Sequence, residues 1–321
     1  MASLPSGKER QYATAFTYFN TGFMIGGINC SNVCLNDFWQ YNTSTNNWTA
    51  LPDFPAAGRQ GMCNFILNDK VYLIGGRNAA GNIFNEVWEY NFTSGIWTQK
   101  NNLPFAGTWR GCAFEINGIG YTGYGLMNTN AYNRSIYQYN SGTDTWQAIT
   151  NINLPARRYT GSAITSNKAF LYGGMDSLNQ ISNDVYLFNP TTSTVNIYSG
   201  IPTFGRKGGM TFALNNKFYF TTGVTLTARV KETWKNDQFV GLEEFDSNDI
   251  PITIFPNPSS EEIHIQSPQK IIKISMTSLL GEIIIETTQQ TITVKEIPDG
   301  IYYLNIVFEK NSVAKKLIIK H

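Results

Sequence analysis

The sequence predicts an all-β chain, a ring of stacked four-stranded units followed by a small β-sandwich. Three landmarks that recur in register predict the first part. Tyr41, Tyr90, Tyr139 and Phe188 fall 49 residues apart, and so do Trp48, Trp97, Trp146 and Val195. A diglycine ends an apolar run in "FMIGG" (23–27), "VYLIGG" (71–76) and "AFLYGG" (169–174), with weaker versions in "GYTGYG" (120–125) and "FYFTTG" (218–223). An arginine opens each unit: Arg10, Arg59, Arg110, Arg158 and Arg206, spaced 48 to 51 residues. Landmarks in step define a tandem repeat with five recognisable units.

Each unit holds four short runs rich in Val, Ile, Phe, Tyr and Trp, separated by Gly, Asn, Ser, Thr or Pro. Alternation of Val87, Glu89 and Asn91 against Trp88 and Tyr90 marks a half-buried strand. "NSGTD" (140–144) and "NPTT" (189–192) read as tight turns between the last two strands of a unit. Four antiparallel strands cannot bury both faces alone, so the units must stack, and radial stacking makes a β-propeller. A diglycine, then Asn-Asp-x-Trp-x-Tyr, six residues, Trp, Leu-Pro and Arg resembles the kelch repeat. The resemblance covers residues 1–236; the first two units match closely, and the third and fifth are degenerate. It implies that Tyr and Trp pack between neighbouring sheets. Trp48, Trp97 and Trp146 are therefore expected as architecture, each costing roughly 3–5 kcal/mol on truncation to Ala.

Net charge is +1, but it is unevenly spread. Residues 1–236 carry 17 Lys and Arg against 11 Asp and Glu, or +6, and hold all nine arginines. The segment 237–249, "DQFVGLEEFDSND", has five acids and no base and is expected to be a linker. This balance is too mild for nucleic-acid binding, and no run reaches transmembrane length. Cys63 and Cys112 share a repeat position, two residues ahead of Phe65 and Phe114, and are expected buried and inert. Cys30 and Cys34, in "NCSNVCLND", sit in the loop after the first diglycine. In an oxidising compartment a disulfide would close that loop. Without a second pair or a nearby histidine, no metal site is expected.

Residues 250–321 break the period and read as about seven short strands, a small immunoglobulin-like β-sandwich. The stretches "FPNPSSEEIHI", "LLGE", "IPDGIYYLNI" and "KKLIIK", in that order, resemble the type A C-terminal sorting domain of the Bacteroidetes type IX secretion system. The resemblance places its motif at Pro256, Asn257, Pro258, Gly281, Gly300, Tyr302, Lys315 and Lys316. It implies export by the type IX machinery and a secreted or surface-attached product. Such cargo needs a signal peptide, yet "MASLPSGKERQYATAF" has no apolar stretch, and "LPSGKERQYATAF" aligns with "LPDFPAAGRQGMCNF". The expectation is a chain shortened at its front, with the signal peptide upstream, and a fifth unit that has only "KETWKN" for a third strand.

Enzymes exist on kelch scaffolds. Galactose oxidase binds copper through histidines and tyrosines, but the only histidines here are His264 and His321, both in the second domain. No cofactor is expected, and histidine acid–base chemistry is excluded from the propeller. A metal-independent sugar-acid isomerase, similar to sialic-acid mutarotases, needs only carboxylates and arginines and stands as the alternative. The favoured reading is a module that binds a glycan or protein, with Arg10, Arg59, Arg110, Arg158 and Arg206 ringing the mouth as an anion site. The competing role for these arginines is pairing with Asp37, Glu86, Asp184 and Glu232. The third unit offers Ser135 there, leaving Arg110 without that partner.

Overall fold

A computed structural model describes residues 2–198, 203–215, 217–236, 252–278, 283–308 and 312–321. The chain divides into two compact units, Met1–Asp237 and Gln238–His321. The acidic segment 237–249 and Gly281 lie outside the described residues.

The first unit is a succession of antiparallel meanders. Blade 1 runs β1 (Thr14–Tyr18), β2 (Thr21–Ile25), β3 (Phe38–Asn42) and β4 (Asn47–Leu51). Blade 2 runs β5 (Cys63–Leu67), β6 (Lys70–Ile74), β7 (Val87–Asn91) and β8 (Ile96–Lys100). Blade 3 runs β9 (Cys112–Ile116), β10 (Ile119–Gly123), β11 (Ile136–Asn140) and β12 (Thr145–Ala148). Blade 4 runs β13 (Gly161–Thr165), β14 (Lys168–Tyr172), β15 (Val185–Asn189) and β16 (Thr194–Tyr198). Among the described residues blade 5 has three strands, β17 (Met210–Leu214), β18 (Lys217–Thr221) and β19 (Thr233–Asn236). The first strands of successive blades, β1, β5, β9, β13 and β17, lie against one another and line the axis.

The aromatic period is the packing between blades. Phe65 of β5 stacks on Tyr72 of β6 at 4.9 Å between centroids, and Tyr139 and Trp146 of the next blade cover the pair. One blade on, Phe114 and Tyr121 stack at 5.5 Å under Phe188. Gly120 follows from this contact: a Cβ there would sit 2.2 Å from the Phe65 ring. Blade 5 repeats the stacked pair with Phe212 and Tyr219 at 5.1 Å, but among the described residues no further blade covers it. Phe212 is 40% exposed, whereas its equivalents Phe65 and Phe114 are 3% and 5%.

The diglycines turn each chain out of its second strand. Both residues take positive φ in Gly26–Gly27 (65° and 98°), Gly75–Gly76 (68° and 93°) and Gly173–Gly174 (64° and 95°). The weak versions keep the conformation and change the residue, placing Tyr124 at φ 58° and Thr222 at φ 59°. A side chain there is strained, which is why the repeat prefers glycine.

The second unit is a sandwich of two antiparallel sheets. One holds β20 (Thr253–Phe255), β21 (Glu262–Gln266) and β24 (Thr291–Thr293). The other orders β23 (Ile283–Thr287), β22 (Lys273–Ser278), β25 (Gly300–Val307) and β26 (Ser312–Ile319). Alternate residues of both sheets, including Ile263, Ile265, Ile274, Met276, Leu304, Ile306 and Leu317, form one apolar core.

Candidate functional site

The five arginines expected as one ring occupy different places in the repeat. Counting 49 residues from Arg59 lands on Thr108 and then Arg157, so Arg110 and Arg158 are displaced by two residues and one. The true ring positions are Arg10, Arg59, Thr108, Arg157 and Arg206, and the arginines there are struts. Arg59 donates from Nη2 to Glu86 (2.9 Å), from Nη1 to the Gly75 carbonyl (3.2 Å) and from Nε to the Ala57 carbonyl (3.0 Å). Arg10 grips Asp37 through both terminal nitrogens, and Arg157 and Arg206 reach Asp184 and Glu232 through Nη2 alone. Three of these acids also accept an indole N–H two residues on, from Trp39, Trp88 and Trp234. That explains the Asp/Glu-x-Trp part of the repeat. Burial raises the Asp37 carboxyl, but hydrogen bonds from Arg10 and Trp39 and the charges of Arg10 and Lys8 outweigh it and bring it to about 2. Arg59 and Arg206 are fully buried. Blade 3 does without the ion pair, placing Thr108 and Ser135 there, with Thr108 Oγ1 donating to the Tyr124 carbonyl at 3.2 Å.

The displaced arginines lie just after the struts, where each chain enters its axial strand. Backbone bonds link the same repeat position from blade to blade: Gly61 N to Tyr12 O (3.1 Å), Arg110 N to Gly61 O (2.9 Å) and Tyr159 N to Arg110 O (2.7 Å). All these residues, and Gly208, have φ between 57° and 64°. Blades 2 and 5 use glycine; blades 1, 3 and 4 place Tyr12, Arg110 and Tyr159 at a cost of about 1–2 kcal/mol each.

Those side chains form one cationic and aromatic cluster. The Arg110 guanidinium lies 3.9 Å from the Tyr12 ring, 4.1 Å from Tyr159 and 4.4 Å from Trp109. Arg77 and Arg158 approach Trp109 at 4.8 and 5.3 Å, and Lys207 approaches Tyr159 at 5.7 Å. Gly61 makes the room, since a Cβ there would meet Trp109 Nε1 at 2.8 Å. Among the described residues no carboxylate pairs with Arg77, Arg110, Arg158 or Lys207. Arg110 Nε, Arg158 Nε and Trp109 Nε1 are buried donors without a partner. Burial pushes the Arg110 guanidinium down, partly offset by Tyr159 and Tyr12; a guanidinium so far above neutral pH keeps its charge.

Around this floor stand the loops that follow the diglycines. Single bridges extend each blade past its turn, pairing Gln60 with Arg77, Trp109 with Leu126, Arg158 with Met175 and Lys207 with Val224. The loop tips are pinned by their own side chains. Asn29 accepts from the Ser31 and Val33 amides, Asn78 from Asn82, and Asp176 from Leu178 and Gln180. Composition gave no hint of Arg77, Trp109, Tyr159 and Lys207. A strict 49-residue count would have found two of them, Trp109 and Lys207, because Gln60, Trp109, Arg158 and Lys207 share one repeat position.

The cysteines are all free. Cys30 and Cys34 do not form the expected disulfide: Cys34 Sγ turns to the Arg77 carbonyl of the next blade at 3.8 Å. Burial raises its thiol pKa, against the Arg77 charge. Cys63 and Cys112 are buried, and burial lifts the Cys63 thiol to about 11.

In the second unit, the sorting motif residues hold the final strand. Pro256 and Pro258 follow cis peptide bonds, and Asn257 between them works as a strand partner. Its Nδ2 donates to the Lys316 carbonyl (2.9 Å), and its Oδ1 accepts from the Ile318 amide (2.8 Å). Gly300 opens β25, and the buried Tyr302 donates its hydroxyl to the Pro298 carbonyl at 2.8 Å. Lys315 and Lys316 are exposed on β26.

No helix among the described residues is long and apolar enough to cross a membrane. No curated protein matches the chain. Residues 253–320 match the secretion system C-terminal sorting domain, which implies handling by type IX machinery and a cell-surface or extracellular location. Residues 22–237, more than half of the chain, match the Attractin/LZTR1 β-propeller, so the chain belongs to that kelch-type propeller family and carries a sorting domain behind it.

Proposed function

We propose that the propeller is an extracellular binding module for an anionic glycan or protein, delivered by its sorting domain and binding through the mouth built on Arg77, Arg110, Arg158 and Lys207. One observation carries this reading: the strut arginines are spent on carboxylates, while these four cations converge with none among the described residues. Guanidinium groups grip carboxylates through paired hydrogen bonds, and clustered cations raise the local anion concentration. The ligand role expected of the whole ring thus passes to Arg110 and Arg158 alone. A sugar-acid isomerase would need carboxylates free to move protons beside the cations. Asp37, Glu86, Asp184 and Glu232 are instead engaged by arginines.

Calorimetric titration of the full chain with carboxylated and neutral forms of the same ligands tests the reading. The carboxylated forms should bind, with affinity falling as salt rises. Replacing Arg158 and Lys207 by Ala should weaken binding by about 2–5 kcal/mol if both contacts are buried in the complex. An unchanged affinity in a folded double variant would rule out the mouth.

A further inference from the structure

We propose a second binding site at the other end of blades 1 and 2, where exposed aromatic rings take the pyranose face of a neutral glycan. The hairpin joining β1 to β2 lies at the far end of β2 from the diglycine, and so faces away from the mouth. Three residues here depart from the repeat. Tyr18 stands where the other blades have Leu67, Ile116, Thr165 and Leu214, and Phe19 where they have Asn68, Asn117, Ser166 and Asn215. Phe92 stands where blades 1, 3 and 4 have Thr43, Ser141 and Pro190. The fold brings all three together. Tyr18 stacks on Phe92 at 4.0 Å and 9°, and Phe19 meets the Tyr18 ring at 4.5 Å and 61°. Phe92 in turn packs on Phe23 at 5.1 Å, which roots the group in the core between the two blades. Phe19 itself is 85% exposed and holds φ 48°. Its four counterparts hold φ between 50° and 52° with short polar side chains, which tolerate that conformation best. A ring at this position adds strain and buries little, so the scaffold gains little from it.

The surroundings select the ligand. Asp69, exposed beside the rings, accepts from Tyr18 Oη at 2.8 Å, and no cation pairs with it among the described residues. An unpaired carboxylate repels the anions that the mouth attracts, and its free lone pairs accept from sugar hydroxyls. Asn20 and Asn68 are exposed too, and Thr43 Oγ1 fixes the turn by donating to the Asn20 carbonyl at 3.0 Å. An apolar ring bordered by a carboxylate and amides matches a pyranose, which has a C–H face and hydroxyls at its rim. An alkylammonium would need rings spaced around it, but Tyr18 and Phe92 lie against each other with no gap. A stable protein interface takes about 800 Å² per partner. One exposed ring among Asn20, Thr43, Asn68 and Asp69 presents far less apolar surface to bury.

Affinity electrophoresis of the full chain tests it, in native gels holding laminarin, lichenan, xylan, galactomannan or dextran. At least one of these neutral polysaccharides should retard the chain. Phe19→Asn restores the residue that three other blades use, so it should unfold in urea no earlier than the parent. It should nevertheless raise the dissociation constant about tenfold or more, and Asp69→Asn should raise it several-fold. The inference fails if none of these polysaccharides retards the chain, or if the folded Phe19→Asn variant is retarded as strongly as the parent. It fails too if Phe19→Asn unfolds at lower urea, because the ring is then a packing element. None of these outcomes bears on anion binding at the mouth.

Discussion

Replacing Arg59 by Ala should destabilise the propeller by about 3–4 kcal/mol and should not act through ligand binding. The side chain is 1% exposed and is held by Glu86, two backbone carbonyls and the faces of Phe84 (3.9 Å) and Phe54 (4.9 Å). Removing one member of a buried pair costs roughly 3–5 kcal/mol, because the other charge is left uncompensated. Here Glu86 is 26% exposed and recovers some hydration, which favours the lower end. The abandoned carbonyls of Gly75 and Ala57 add about 1 kcal/mol between them if water reaches one of the two. Against a total stability of roughly 5–15 kcal/mol this is a large share.

All seven tryptophans lie before residue 237, so indole fluorescence during urea unfolding follows the propeller without contribution from the second domain. Blade 3 supplies the control. It places Thr108 and Ser135 at the strut positions, so an uncharged pair is compatible with the blade. The double variant Arg59→Thr, Glu86→Ser should therefore cost less than the sum of its single changes, with a coupling of about 1–3 kcal/mol. If Arg59→Ala shifts stability by under about 0.5 kcal/mol and instead abolishes anion binding, the strut assignment is wrong and the ring is the ligand site.

Three further outcomes follow from the same geometry. Asp37 is held at about 2 in the fold, below its ordinary 3.8, so its contribution is full above about pH 4 and is lost as pH falls through 2. That contribution is worth about 2 kcal/mol, and Asp37→Asn should flatten the acid limb of a stability–pH curve by this amount; an unchanged limb would show that the Arg10 pair does not hold in solution. Phe65→Ser and Phe212→Ser change the same repeat position, but only the first is buried, so urea unfolding should show a loss of roughly 3–5 kcal/mol for Phe65 and under about 1 kcal/mol for Phe212. Equal costs would mean that the open face of blade 5 is covered in solution. Deleting residues 253–320 in a type IX host should keep the protein from the medium and the cell surface, as read by fractionation and immunoblot; normal export of the deleted form would contradict the sorting role.

The fold was legible because repetition multiplies a weak signal. One Trp-rich hairpin could belong to many sheets, but Tyr90 and Trp97 have counterparts at 41 and 48 and again at 139 and 146. Tyr90 with Trp97 and Tyr139 with Trp146 do the same job between blades, and Tyr41 and Trp48 of the first blade pack on each other. The diglycine was legible for a backbone reason, and its weak copies were informative too: Tyr124 and Thr222 hold the φ that glycine holds elsewhere. What could not be read was the direction of side chains in the loops. Cys30 and Cys34 are close in sequence, yet Cys34 faces the neighbouring blade, a contact that no spacing rule contains.

The site was misread by one residue in one unit and by two in another, and the error shows what a repeat constrains. Arg157 and Arg158 are adjacent, and along the chain either could open unit 4. Only the partner separates them: Arg157 reaches the Gly173 carbonyl and Asp184, sixteen and twenty-seven residues on, as Arg59 reaches Gly75 and Glu86. An arginine that keeps both spacings is part of the scaffold. An arginine beside it that keeps neither, such as Arg158 or Arg110, has no carboxylate partner among the described residues. In a repeat protein, scaffold residues are those whose contacts repeat with the period. Residues that change from blade to blade at one repeat position while holding positive φ, as Tyr12, Arg110 and Tyr159 do beside Gly61 and Gly208, answer to something outside the repeat, and the unpaired donors around them are what the proposed anion would meet.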